Sequence, residues 1–558
     1  MSVESVLLGR GVVTPEQAEE GRRASAGSTE RIDQALIRLG HTTREAVLAA
    51  FAAEFHMPVV DLEEIAPEPE VIDLLPAALV YRQKCVPIAR QNGTLTVATS
   101  DPFEIAAHDE LQLVTGCSID LVLADEAELE RFMRRHYGVG GDTLDAMAKD
   151  DAPVAESSDA AEEIERAQEA SVIKLVNDLL TEAVSERATD VHIEPYEHEL
   201  TVRYRIDGVL QRASVPPTIH RYGAAIVSRI KIMSSLNIAE KRRPQDGRIS
   251  FSTRLNGRIH DFDMRVSVIP MLFGEGVVLR VLDNSAALMS LDDLGMDGDT
   301  LVRWDKLISK PHGIVLVTGP TGSGKSTTLY ASLNRIVTDE IKAVTIEDPV
   351  EYHASGVNQI QVNTKTGLTF AAGLRSVLRH DPDVVMVGEI RDKETAETAI
   401  QASLTGHLVF STLHTNDAAG APTRLLDMGV EPFLVSSSVE GVLAQRLVRR
   451  ICPDHFEEYT PDQSDLPRDF ALPASGTLRR GVPDRANRNT GYRGRLGVFE
   501  LLTLSHEIRE MIMARANAPE LAKAAIASDD LRPIRADGYE KVRAGRTTLS
   551  ELARALAV

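Results

Sequence analysis

"GPTGSGKSTTLY", residues 319–330, decides how the rest of the chain is read. The run before it, "GIVLVTG" (313–319), is continuously apolar, as a parallel strand buried on both faces requires. The run after it, "TTLYASLNRIV" (327–337), sets Leu329, Leu333, Ile336 and Val337 on one helical face. Strand, Gly-x4-Gly-Lys-Ser loop and helix together form the context in which this pattern holds phosphate. The glycines let backbone N–H groups turn inward, and the helix N-terminus adds partial positive charge. The expected nucleotide-binding residues are Gly319, Pro320, Thr321, Gly322, Ser323, Gly324, Lys325, Ser326 and Thr327. Lys325 is expected at the β and γ phosphates and Ser326 on Mg²⁺, so ATP and Mg²⁺ are the expected cofactors. Kinases, helicases, GTPases and motors share such a loop, so what hydrolysis drives has to come from its surroundings.

A second apolar run, "VVMVGEIRD" (384–392), has the form of a Walker B strand, with Gly388 intervening before the carboxylate of Glu389. A third, "AVTIEDPVEY" (343–352), delivers Glu347, Asp348 and Glu351 at its end. Ligands of open α/β sheets gather at the carboxyl ends of strands, which brings these acids to the γ-phosphate side. One would hold Mg²⁺ through water, with Glu389 the candidate, and another would orient the attacking water. Asp348 and Glu351 read equally as helix caps or solvated turn acids. In "TGHLVFSTLHTND" (405–417), His407 and His414 bracket a further strand and are candidates for sensing the γ-phosphate.

At 558 residues the chain is too long for one core. Hydrophobic content of 43% and charged content of 26% are those of a globular protein, with no run long enough to span a bilayer and no signal peptide in "MSVESVLLGRGV". Cys85, Cys117 and Cys452 are too few and too scattered for a disulfide framework, which suits a reducing cytosol. The net charge of −22 opposes nucleic-acid binding, which draws on a basic surface.

The organisation expected is multidomain α/β. Residues 1–56 read as small helices, with Thr14 an N-cap and Pro15 at the first helical position. Residues 57–138 are α/β, including a hairpin at Asn92-Gly93. Residues 139–168 are acidic and small-residue-rich, an expected mobile linker. A second α/β domain follows over 169–283, and 284–558 hold the nucleotide core and C-terminal helices.

The four motifs, in this order, closely resemble the Walker A, aspartate, Walker B and histidine boxes of the secretion ATPases of type II secretion and type IV pilus assembly. "TDVHIEP", "VRYRIDG" and "IAEKRRPQDGRIS" resemble the domain that precedes the motor core in that family. The resemblance implies a RecA-like P-loop ATPase behind a PAS-like domain, assembled as a homohexamer. Such a motor works at the cytoplasmic face of the inner membrane with anchor and platform proteins. It also implies that arginines swing onto the phosphates as a subunit closes, by position Arg205, Arg221, Arg375 and Arg379. The stretch 418–453 looks more like the type II secretion branch than the pilus branch. Pilus extension, a DNA-uptake motor and a non-hydrolysing regulator are the alternatives.

Two departures from the family are visible. Many members carry two Cys-x-x-Cys pairs that bind zinc; here Cys452 and His455 stand at the first and "DRAN" (484–487) at the second, a poor tetrahedral site, so no zinc is expected. The first 56 residues resemble a degenerate copy of a module (MshEN-like) whose pattern begins Arg-Leu-Gly. Here Arg31-Ile32-Asp33 puts a carboxylate where a dinucleotide phosphate would approach, so cyclic di-GMP binding is not expected.

Overall fold

The computed structural model describes residues 2–25, 31–103, 105–141, 143, 144, 147, 169–255, 258–283, 289–296, 298–484, 487 and 489–557. The chain divides into two compact units, Met1–Asp283 and Asn284–Val558.

The first unit begins with four short helices, Val3–Gly9, Pro15–Ser25, Ile32–Arg38 and Arg44–Phe55, around Leu7, Leu36, Val47 and Phe51. Thr14 does cap its helix: its hydroxyl accepts from Gln17 N at 3.3 Å while Gln17 Oε1 accepts from Thr14 N at 2.9 Å. A three-stranded sheet follows. Its antiparallel pair, Cys85–Gln91 and Thr94–Thr99, turns at Asn92 (φ 51°) and Gly93 (φ 81°), the left-handed pair that the hairpin reading requires. The third strand, Ser118–Leu123, joins in parallel.

The stretch read as a linker needs correction at its start. Residues 148–168 lie outside the described residues, but Val139, Leu144 and Met147 are buried in one core with Leu175 and Val176. Their apolar side chains find a packed partner, and most of the acidic residues of the 139–168 stretch lie beyond Met147. The rest of this unit is a six-stranded antiparallel sheet in the order Val209–Arg212, Leu200–Ile206, Asp190–Pro195, Gly274–Asp283, Arg258–Met271, Gln245–Leu255. The helices Ala170–Ser185 and Gly223–Met233 contribute Leu175, Leu179, Ile226 and Ile230 to its core.

The second unit is built on eight strands in the order Val357–Gln361, Ala343–Glu347, Val384–Val387, Leu408–Leu413, Gly313–Thr318, Val439–Ile451, Tyr492–Thr503, Leu531–Arg532. The first six run parallel and the last two are antiparallel additions. Gly313–Thr318 is buried at every residue, as its unbroken apolar run demands. Helices cover both faces, giving two apolar layers, one around Val385, Val409 and Leu425 and the other around Trp304, Leu329 and Phe410. Among the described residues no helix is long and apolar enough to cross a membrane.

Candidate active site at the carboxyl edge of the parallel sheet

The loop after Gly313–Thr318 leads directly into the helix Lys325–Ile336. Two of its glycines are required by geometry. Gly319 has φ 146°, and a Cβ there would sit 2.5 Å from Gln445 O and 2.7 Å from Ser323 Oγ. Gly324 has φ 89°, and a Cβ there would sit 2.8 Å from Gln445 Nε2. The loop is thus pressed against the neighbouring strand Val439–Ile451, whose Ala444 is in register with Thr318. Thr318 is fully buried, and its hydroxyl meets Leu413 O (3.0 Å), Thr415 N (2.9 Å) and Thr415 Oγ1 (2.7 Å). That cluster ties the start of the loop to the segment carrying His414.

Lys325 folds back over the loop, with Nζ donating to Gly319 O at 2.9 Å and Pro320 O at 3.0 Å. Burial lowers the ammonium to about 8; the Glu389 carboxylate opposes that shift and the Arg446 guanidinium adds to it. Lys325 is therefore a desolvated cation resting on carbonyl oxygens, which a phosphate would displace. Ser326 is exposed at the start of the helix, and Ser323 is buried with its hydroxyl unpartnered among the described residues.

Glu389 follows the strand Val384–Val387 and turns into the same space. Its carboxylate lies 2.6 Å from Arg391 Nη2 and 3.6 Å from His414 Nε2. Burial and the charge of Lys325 lower the His414 pKa, with Glu389 pulling the other way, so the ring is neutral at neutral pH. Glu347, by contrast, is only 4% exposed at the end of Ala343–Glu347 and already saturated. It accepts from Tyr330 OH, from Thr345 Oγ1 at 2.6 Å and from Gln359 Nε2 at 3.3 Å. Asp348 is exposed beside it.

The structure thus brings Lys325, Glu389 and His414 together and seats Glu347 in a separate buried network. His407 needs correction as a neighbour of the phosphate loop. The parallel register pairs Gly313 with Leu408 and Thr318 with Leu413, so His407 precedes its strand and sits at the sheet edge opposite the loop. There its Nδ1 lies 2.9 Å from Ala402 O, a turn contact. Arg375 and Arg379 lie exposed at the end of the helix Phe370–Val377 and just beyond it. Arg375 pairs with Glu394 at 2.7 Å, and Arg379 donates to Arg375 O at 2.7 Å. Arg205 and Arg221 belong to the first unit. Arg205 faces Asp190 at 3.6 Å and donates to Gly208 O at 3.2 Å, while Arg221 is exposed on the 3-10 turn Pro217–Tyr222.

Sequence reading missed Gln445, which lies against the phosphate loop, and Arg446, next to it on the strand, whose charge helps lower the Lys325 pKa. The signal was available: in the buried strand "VLAQRLV" (442–448) two polar residues stand together where the strand passes that loop. At the two positions where many members of the family carry zinc-binding Cys-x-x-Cys pairs, the described residues include Cys452, His455 and Asp484. Cys452 Sγ is 3.8 Å from His455 Nδ1, and His455 Nε2 is 3.6 Å from Asp484 Oδ1, with Arg485 and Ala486 outside the described residues.

A family model described as "Type II/IV secretion system protein" matches residues 165–554, and one described as "MshEN domain" matches residues 55–143. The second match lies downstream of residues 1–56, so the MshEN resemblance read on those residues is corrected to the α/β segment 55–143. The chain is 41% identical to a Type II secretion system protein E of Xanthomonas campestris pv. campestris, covering 99% of this chain and 98% of that protein. It is 39% identical to the Type IV pilus assembly ATPase PilB of Myxococcus xanthus, covering 98% and 97% respectively. Among solved structures, the Legionella pneumophila ATPase DotB matches with a TM-score of 0.50 over 68% of this chain and 95% of that chain, at 21% identity, a likeness of fold.

Proposed function

The chain belongs to the Type II/IV secretion system protein family and is an ATPase of type II secretion and type IV pilus systems, and from that premise we propose that it powers pseudopilus assembly and protein export by a type II secretion system. The observation that carries the mechanism is the meeting of Lys325, Glu389 and His414 over the phosphate loop. Lys325 leaves the carbonyls of Gly319 and Pro320 to neutralise the β and γ phosphates. Ser326, and Glu389 through water, are the hard oxygen donors that suit Mg²⁺, which when bound draws charge from the transferring phosphoryl group. Glu389 also has the better claim to orient the attacking water, because three donors already occupy Glu347. Neutral His414 reports the γ-phosphate to the segment that Thr318 ties down.

We read the second unit as RecA-like and residues 169–283 as PAS-like. Arg205, Arg221, Arg375 and Arg379 complete the site as subunits of a homohexamer close, stabilising charge on the phosphoryl group. Exposed pairs such as Arg375–Glu394 contribute roughly 0–1 kcal/mol, so little opposes their release. His407, away from the loop of its own chain, is assigned no catalytic contact. The motor works on the cytoplasmic face of the inner membrane, held by an anchor protein and acting on a platform protein, without nucleic acid, structural zinc or cyclic di-GMP.

Residues 418–453 support the secretion branch, and the near-equal likeness to the pilus-assembly relative favours a second reading, pilus extension. The test is Lys325→Ala in the native host. Loss of exported proteins with pili intact is expected; loss of pili with export intact would move the protein to the pilus branch.

A further inference from the structure

Three buried polar atoms have no hydrogen-bond partner among the described residues: Ser323 Oγ on the phosphate loop, and Gln445 Nε2 and Arg446 Nε on the strand whose Gln445 carbonyl presses on Gly319. Their residues are 3%, 0% and 6% exposed, so water does not compensate them. Gln445 is held in place from one side only, its Oε1 accepting from Thr328 Oγ1 at 2.7 Å, which leaves the amide nitrogen facing Gly324. Arg446 is a buried guanidinium whose Nη atoms reach only main-chain carbonyls, Asn416 O at 3.2 Å and Gln445 O at 3.4 Å. It feels the charges of Glu500 and Asp417, yet no carboxylate lies within ion-pair distance of it among the described residues. Glu500 is instead committed to Ala418 N (2.8 Å) and Ile534 N (3.2 Å). A buried cation without a carboxylate is costly to the fold, and orphaned donors beside it add to that cost. Both costs are lifted if an anion visits.

We propose that Arg446 is a phosphate-facing cation of the nucleotide site, supplied by the same chain that supplies the loop, and that Gln445 is a positioning residue that sets the loop around the phosphates. This rests on the reading of Gly319–Thr327 as the phosphate loop, and it adds to that loop a second strand as a source of positive charge. The cation acts from within the subunit, so it serves binding before any neighbouring subunit closes. A guanidinium grows more effective as more phosphate charge accumulates in front of it, so triphosphate gains more from it than diphosphate.

The experiment is thermal unfolding and equilibrium binding of the purified full-length chain and its Arg446→Gln variant, with MgADP and with the magnesium complex of a non-hydrolysable β,γ-imido ATP analogue. The variant is expected to melt no lower than wild type without nucleotide, because an uncompensated buried charge has gone. Its affinity for the triphosphate analogue is expected to fall about tenfold, and its affinity for MgADP by less. Gln445→Met, which keeps the volume, should weaken both nucleotides to a similar and smaller degree while leaving the nucleotide-free melting temperature near wild type. An Arg446→Gln chain that is insoluble or clearly destabilised without nucleotide, or that binds both nucleotides as wild type does, would make Arg446 a structural residue and overturn the proposal. A wild-type chain that binds neither nucleotide would instead overturn the loop reading itself.

Discussion

Around Arg31 two carboxylates close on one guanidinium; around Glu389 two cations gather on one carboxylate. In the N-terminal helices, Arg31 pairs bidentately with Asp33 (3.0 and 2.9 Å) and also with Asp101, while Glu126 lends further negative charge. At the phosphate loop, Lys325 and Arg391 stand near Glu389, Arg446 adds positive charge that Lys325 feels, and Lys325 rests on neutral carbonyls. The residue types are the same and the balance is opposite. A site that awaits an anion is recognised by positive charge the protein has left unneutralised, and a cation already enclosed by carboxylates has nothing to offer a phosphate.

The largest effect should come from removing the single carboxylate in the cationic cluster. Glu389→Gln keeps shape and loses charge, and kcat for ATP should fall about 100-fold or more while KM changes little. Steady-state turnover with Mg²⁺ checks this. Hydrolysis at the wild-type rate would transfer the role to another acid and remove Glu389 from the comparison.

The charge imbalance also has a pH signature. Without nucleotide the Lys325 ammonium titrates at about 8, because it is desolvated and unpaired. A bound phosphate raises that pKa. Below about 8 the lysine is already charged in both states, and binding takes up no proton. Above it, binding draws in a proton, so affinity falls as pH rises, towards tenfold per unit at the limit. Titrations of MgADP between pH 7 and pH 9.5 read this directly. A flat profile would mean that Lys325 is not the desolvated cation its surroundings make it.

Glu347 belongs with Arg31 among the satisfied groups, and Tyr330→Phe tests that placement. The variant leaves a buried carboxylate oxygen short of a donor, costing about 1–3 kcal/mol. A lower melting temperature with kcat reduced only several-fold is expected. A collapse of kcat with unchanged stability would return Glu347 to direct contact with the reaction.

The loop residues were legible because their chemistry is local. Strand, glycines, lysine and helix are consecutive, and the pattern fixes the backbone that binds phosphate. The hairpin at Asn92-Gly93 and the cap at Thr14 were readable for the same reason. The misses are non-local. Whether His407 or His414 reaches the loop depends on the parallel register of Leu408–Leu413 against Gly313–Thr318, which neither segment encodes alone. Gln445 and Arg446 lie more than a hundred residues from the loop and enter only because their strand is its neighbour in the sheet. Glu347 looked like a free acid at a strand end because its donors come from a helix and an adjacent strand. The packed start of the 139–168 stretch was hidden because apolar residues there are sparse, and their partners, Leu175 and Val176, come after the acidic run.

The smallest effect is expected at Arg31. Asp33→Asn takes away one of two carboxylates, and Asp101 remains on the guanidinium. The cluster is partly exposed, so the change in stability should stay within about 1 kcal/mol. The variant should still not bind cyclic di-GMP, because one carboxylate is enough to occupy the fork that a phosphate would need. The intact wild-type chain, titrated with cyclic di-GMP up to about 100 μM, should show no saturable binding, since a phosphate would have to displace two carboxylates from Arg31. Saturable binding by wild type would break the comparison at its root. It would show that an enclosed arginine can still open to a phosphate, or that the dinucleotide is held elsewhere in the domain matched over residues 55–143. A variant pair separates these outcomes: binding that disappears in Arg31→Ala places the ligand on the arginine, and binding that survives places it downstream.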